Sequence, residues 1–325
     1  MGGLKKLMAG LALSTVLAAG PAFAADKDHR DEWSKMNVLF LIWSQSSNAF
    51  FAPVVNGAKD AAEQQGINID IKYGEEDPVN QNNILETAIA NKVDGIITTV
   101  ANDQAFDKVL CKAAAAGIPV ILNNIEDSQG KDGGTCRLAF IGQSFEDAGY
   151  AIGKRMIDEH GLKSGDLVFT PVEAPEAVYA VKRHAGVKKA MDEIGAKTEV
   201  LGTGNDTGQA LTLMTQYLLG HPETKAVIGL GQTPTSQAAA AIREAGLKIP
   251  AGGFDTSSSI MEDIESGALT ATVDQQPYSQ GYFSVTQMAL RLKYGLYPSD
   301  MNTGGDGLID KTNTAMVKKW AGDTR

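Results

Sequence analysis

Cysteine is nearly missing from these 325 residues: there are two, Cys111 and Cys136, beside four histidines. His29, His160, His184 and His221 show no pairing at metal-ligand spacing, and nothing with suitable spacing completes a zinc set around the cysteines. Beyond residue 24 no run reaches the ~18 apolar residues of a membrane helix, so no membrane anchor is expected. Basic clusters are also lacking. With a formal charge of −10 the chain is a poor match for phosphate backbones, and no nucleic-acid partner is expected. No Gly-x-Ser-x-Gly elbow occurs, and no close carboxylate pair can be placed from sequence. Ser128-Gln129-Gly130-Lys131 fits a Ser-x-x-Lys signature, but the glycines around it make a loop, whereas that chemistry needs both side chains on one helical turn. Gly229-Leu230-Gly231 is continued by Gln232-Thr233-Pro234, which leaves a dinucleotide fingerprint incomplete. The expectation is a protein that is not an enzyme and carries no metal or organic cofactor.

What is present starts at the first residues. Lys5 and Lys6 precede a largely apolar stretch from Leu7 to Leu17, and Pro21-Ala22-Phe23-Ala24 supplies small residues for cleavage. Residues 1–24 therefore read as a secretory signal peptide. Its removal takes the formal charge from −10 to −12. The product is expected in the periplasm of a bacterium with an outer membrane. In that oxidising compartment Cys111 and Cys136 are expected to pair, closing a loop for about 3–4 kcal/mol. The alternative is two buried free thiols.

From Met36 onward, strand-like runs alternate with helical periodicity, an α/β pattern. Strands are predicted at 38–43, 67–73, 95–99, 119–123, 138–141, 166–170, 197–201, 226–230, 252–254 and 269–273. A helix is predicted over Phe51–Gln65, with others beginning near Asn80, Asp103, Phe145, Pro175, Thr207, Thr235, Ser257 and Pro277. So many strands suit two sheets better than one. The pattern predicts two Rossmann-like lobes with parallel sheets, joined by a three-segment hinge at 142–144, 273–277 and 302–306, with a ligand cleft between them. The first lobe would comprise 36–142 plus 276–306, the second 143–275 plus 307–325.

The run Val38-Leu39-Phe40-Leu41-Ile42-Trp43 is a continuous apolar strand, as a sheet covered on both faces requires. It leads into Ser44-Gln45-Ser46-Ser47-Asn48 and then Phe50-Phe51. Loops leaving the carboxyl ends of strands are where ligands dock in open α/β sheets. Ser44, Asn48 and the two rings are therefore candidate ligand contacts, although Phe51 could serve only to anchor its helix.

These residues, with others in order along the chain, resemble the periplasmic sugar-binding proteins of ABC importers, of the ribose-binding type. The resemblance rests on Asn48 with Phe50-Phe51, on Ile118-Pro119-Val120-Ile121, on Arg183 within Ala180–Gly186, on Gly253-Phe254-Asp255, and on Ala271-Thr272-Val273-Asp274-Gln275-Gln276-Pro277. It implies a type I periplasmic binding protein fold and an aromatic platform from Phe50 and Phe51 with Trp43 nearby. Asn48, Asn124, Arg183, Asp255 and Gln275 would form a polar ring around sugar hydroxyls. An ion pair between Arg183 and Asp255 without ligand is the alternative for those two. The implied partners are a small carbohydrate or polyol and a membrane permease, and the expected state is a monomer.

Departures from that pattern bear on the ligand. The Asp-Arg pair of ribose-type proteins falls on Asn124-Ile125, the second-lobe aromatic on Asn205, and an expected asparagine on Gly231, with Gln232 adjacent. The pocket is therefore expected to take a sugar derivative or polyol with fewer hydroxyls near Ile125 rather than plain ribose. A receptor serving chemotaxis or a sensor kinase, and a periplasmic glycoside hydrolase, are the other readings.

Overall fold

Strand β1 (Asn37–Ile42) is buried from its second residue to its last, and its side chains divide between two cores. Val38, Phe40 and Ile42 pack against Phe51, Val54 and Ala58 of α1 (Phe51–Gln65). Leu39 and Leu41 pack against Leu85 of α2 (Pro78–Ala90) and Leu110 of α3 (Asp107–Ala115) on the opposite face. A parallel strand covered twice over has no face left for polar residues.

The structure, a computed structural model, describes residues 31–102, 104–127, 130, 134–304 and 307–325. The leader, Asp103, and the Ser128 and Lys131 of the set-aside motif lie outside the described residues.

The remaining elements of the first half are β2 (Asn68–Tyr73), β3 (Gly95–Thr98), β4 (Val120–Asn124) and β5 (Ala139–Gly142). Then come α4 (Phe145–His160), β6 (Leu167–Val172), α5 (Val178–Asp192), β7 (Lys197–Gly202), α6 (Thr207–Gly220), β8 (Thr224–Gly229) and α7 (Gln232–Glu244). The chain finishes with β9 (Ala251–Phe254), α8 (Ser258–Ser266), β10 (Thr272–Val273), α9 (Pro277–Tyr294), β11 (Met301–Asn302), β12 (Leu308–Ile309) and α10 (Thr314–Lys318).

The strands form two six-stranded sheets, ordered β11-β5-β4-β3-β1-β2 and β12-β10-β9-β8-β6-β7. All pairs are parallel except β10 with β12. The second sheet repeats the order of the first. It also has a core on each face: Val168 and Ile228 meet Ile152 of α4 and Val187 of α5, while Phe169 and Val227 meet Met214 of α6 and Ile242 of α7.

In each lobe two helices approach until only glycine fits. A Cβ on Gly281 of α9 would stand 1.9 Å from Val54 O of α1, and one on Gly186 of α5 would stand 2.0 Å from Glu146 O of α4. The second contact fixes how α5 is seated, and with it Arg183.

The chain passes between the sheets after β5, after β10 and after β11. Gln280 stitches two of these passages, its Nε2 donating to Gln275 O and Thr303 Oγ1, each at 3.1 Å. Gln143 Nε2 of the first passage donates to Asp274 O of the second at 3.3 Å.

Cys111 and Cys136 form a disulfide, tying α3 to the segment ahead of β5. No helix among the described residues is long and apolar enough to cross a membrane.

Four expectations shift. The helix expected near Asp103 starts at Asp107, those near Pro175 and Thr235 start at Val178 and Gln232, and the strand expected over 269–273 contracts to Thr272–Val273. Leu269 is apolar and 1% exposed, but it anchors the turn that follows Gly267, whose φ of 85° ends α8. The two-residue strands β11 and β12 carry too little sequence to show a period.

Candidate functional site

Loops from the carboxyl ends of both sheets enclose a cavity of about 260 Å³. From the first lobe come Trp43, Asn48, Phe50, Phe51, Asn124 and Ile125. From the second come Arg183, Asn205, Gln232 and Asp255, and Gln275 of the second passage closes the floor. Of the residues expected at the site, Ser44 alone is missing from this wall. It is fully buried behind it, donating to Glu76 Oε1 at 2.9 Å and accepting from Asn48 Nδ2 at 3.0 Å. Ser44 is thus a positioning residue, since a hydroxyl committed to two protein partners and closed off from the cavity has no free reach.

Asn48 also accepts from the Phe50 N–H at 3.1 Å, so the polar turn and the aromatic pair are held as one unit. Phe50 and Phe51 meet edge to face, with centroids 5.0 Å apart at 88°. Phe51 is 3% exposed and Phe50 is half-buried, so Phe51 combines an anchoring role with a place in the wall.

Asn124 ends β4 and Asp255 directly follows β9, its equivalent in the second sheet, and both have left-handed backbones, at φ 62° and 72°. Such conformations in non-glycine residues cost about 1–3 kcal/mol and gather at functional sites. Asn124 Nδ2 donates to Gln280 Oε1 at 2.9 Å and lies 3.4 Å from Gln275 Oε1. Gln275 Nε2 donates to Asp255 Oδ1. An unbroken polar chain therefore joins the two strand ends through the hinge.

Arg183 is 2% exposed. Its Nη1 donates to Leu230 O at 2.7 Å and lies 3.7 Å from Asp255 Oδ2, while its Cζ sits 4.2 Å from the Phe254 ring centroid and 4.9 Å from that of Phe145. Its Nε is buried with no protein partner. Burial pushes the Asp255 carboxyl above the usual range, with Arg183 pulling partly the other way.

Several wall residues were not foreseen: Glu76, Phe145, Glu173, Glu176 and Tyr179. Glu173 follows β6, where it accepts from Thr233 N at 2.9 Å and from the Tyr179 hydroxyl at 3.1 Å. Burial raises its carboxyl above the usual range, and the Asp255 charge adds to that. Glu173 also explains Gly231, because a Cβ there would stand 2.0 Å from Glu173 Oε2. The side chain missing at 231 leaves room for the carboxylate arriving from 173. The available signal was the position of Glu173 just past a strand's carboxyl end.

Ile125 joins Ala101, Phe145 and Val178 in a buried apolar cluster drawn from both lobes. The backbone bridges the lobes there too, Val178 N donating to Ala101 O at 3.3 Å. His184 lies outside the wall, its Nε2 2.9 Å from Thr198 Oγ1 on β7.

The arrangement suits a small molecule with many hydroxyls. It offers amides and carboxylates that fix orientation, apolar rings for C–H faces, and an enclosure just below the ~300 Å³ lower bound of ordinary ligand pockets. No group of three or more histidine, cysteine, aspartate or glutamate side chains among the described residues is arranged to hold a metal ion.

The chain is 29% identical over 279 residues to the xylose/arabinose-binding protein of Sulfolobus acidocaldarius, covering 80% of this chain and 67% of that one. It is 27% identical over 304 residues to the D-ribose/D-allose-binding protein of Pseudomonas aeruginosa, covering 90% and 94%. A carbohydrate transporter from Acidothermus cellulolyticus, solved in complex with myo-inositol, superposes with a TM-score of 0.80 at 27% identity, over 89% of this chain and 99% of that one. Residues 39–295 match the model of the periplasmic binding protein domain, and the chain belongs to that family.

Proposed function

We propose that this protein is an exported receptor that captures a small sugar, sugar derivative or polyol between its lobes and delivers it to the permease of an ABC importer. The observation that carries the reading is the cavity itself, closed by Asn48, Phe50 and Asn124 on one side and by Arg183, Asn205 and Asp255 on the other. Ligand hydroxyls that bridge both sets favour the closed state, because they bind it more tightly than the open one.

The lobes divide at 36–142 plus 276–306 and 143–275 plus 307–325, and they move about the passages that Gln143, Gln275 and Thr303 occupy. The apolar cluster at Ile125 supports a ligand with a hydroxyl-poor end on that side. Closure presents a composite surface of both lobes to the permease, and residues 1–24 direct export to the periplasm before they are removed.

Thermal stabilisation against a panel of pentoses, hexoses, deoxy sugars, amino sugars and cyclitols tests the reading, since a ligand at 100 times its Kd adds about 2.7 kcal/mol to apparent stability. Stabilisation by at least one such compound, without turnover, is the expected result. A flat panel, or product formation from a glycoside, contradicts it.

A further inference from the structure

The cavity wall is formally unbalanced. Glu76, Glu173, Glu176 and Asp255 line it, Arg183 is the single cation among the described lining residues, and no lysine or histidine joins them. That cation is already committed to Leu230 O and Asp255. Glu173 has no ion-pair partner among the described residues, only the Thr233 N–H and the Tyr179 hydroxyl. An ionised carboxylate has about four lone-pair sites, so acceptor capacity is left over, and the fit against Gly231 keeps the group at the wall.

We propose that the ligand is an amine-bearing polyol, an amino sugar or aminocyclitol, whose ammonium is seated at Glu173. The inference rests on the receptor reading above and narrows its ligand class. A hydroxyl both donates and accepts, and beside a second buried carboxylate its lone pairs are a liability. An ammonium presents three donors and no acceptor. Its bonds to carboxylates are charge-assisted and roughly twice as strong as neutral ones. Burying it carries a desolvation cost, which a single carboxylate repays poorly. Here Asp255 raises the Glu173 carboxyl while Arg183 partly offsets it, and Glu76 and Glu176 stand at exposed positions of the same wall. The polar groups that remain, Asn48 and Asn124, suit the hydroxyls on the rest of the molecule.

Calorimetric titration at pH 7.5 with matched sets tests the proposal: 2-amino-2-deoxyhexoses, their parent hexoses and their N-acetyl derivatives, and an aminocyclitol beside myo-inositol. The expected result is an amine that binds at least about tenfold tighter than both its hydroxyl parent and its N-acetyl form, with that ratio collapsing in Glu173→Gln. A second readout needs no variant: lowering the pH towards 5 weakens the amine, as the carboxylates take up protons, and weakens its neutral parent less. Equal or tighter binding of the neutral parent, a ratio unchanged in Glu173→Gln, or no amine binding at all overturns the proposal. Neutral sugars that bind while the amines fail leave the receptor reading standing; failure of every compound removes both.

Discussion

Asn205 Nδ2 stands 3.3 Å from Glu76 Oε1 across the mouth of the cavity, joining the loop after β7 to the loop after β2. Like the Val178 to Ala101 backbone bond, the contact links segments carried by different sheets. Both side chains are exposed, so the bond adds little to folding but biases closure. Asn205→Ala is expected to weaken ligand binding by about 2- to 10-fold, the equivalent of one modest hydrogen bond. Its unliganded melting temperature should match that of the unmodified protein. Calorimetry and a thermal melt of the same preparation check the two halves of this expectation.

Arg183 is expected to matter to the fold as well as to the ligand. Arg183→Met leaves Asp255 buried without its cation, and breaking a buried pair in this way costs about 3–5 kcal/mol. Adding Asp255→Asn removes the stranded charge and should recover part of the loss. Urea unfolding of the single and double variants measures this; equal midpoints would show that the pair carries no weight.

Much of the fold was legible in residue order because its strands are continuous apolar runs ended by turn residues. The division of Val38–Ile42 between two cores follows from the period of two in a strand. The Phe145, Thr207 and Pro277 helix starts are marked by a change of period, and two cysteines in a chain expected to be exported have few alternatives to pairing. The wall of the cavity was harder to read. Glu173 sits in Glu173-Ala174-Pro175-Glu176, between a predicted strand and a helix predicted from near Pro175, and nothing in that order marks it as a wall residue. Only the approach of α7 brings the Thr233 N–H to it, and only the absence of a Cβ at Gly231 makes room. Ser44 misled in the opposite direction: a hydroxyl at a strand's carboxyl edge reads as a ligand contact, and the close packing of Asn48 and Glu76 turns it inward.

Gly231 needs space rather than an unusual backbone, since its φ of −157° is open to any residue. Gly231→Ala is expected to push the Glu173 carboxylate from its seat while α7 stays folded. The predicted outcome is a loss of ligand affinity of more than tenfold, about 1.4 kcal/mol, with the circular dichroism spectrum unchanged. A variant that binds as well as the unmodified protein contradicts the assigned contact.

Glu173 also sets a pH dependence. Its folded carboxyl lies above the unfolded value, so the group's contribution to stability is fully present below the unfolded pKa, about 4.3, and is lost as pH rises through the folded value. Glu173→Gln removes that loss. The unliganded variant should therefore melt above the unmodified protein at pH 7.5, and the gap should narrow towards pH 4. A gap of constant size would place the cause elsewhere.

The Cys111–Cys136 bridge closes a separation of 25 residues, worth about 3.5 kcal/mol by loop-closure entropy. Neither cysteine lines the cavity. Replacing both by serine should lower stability by roughly that amount in chemical unfolding and leave ligand affinity within about twofold.

The central claim is that one small polyhydroxylated molecule is held from both lobes at once. Its most direct test is calorimetric titration of the sugar, amino-sugar and cyclitol panel against the unmodified protein, Asn48→Ala of the first lobe and Asp255→Asn of the second. The expected result is 1:1 binding of at least one compound at micromolar Kd or tighter, reduced at least tenfold by either substitution. Binding that is indifferent to one lobe's variant, or no binding by any compound, would contradict it.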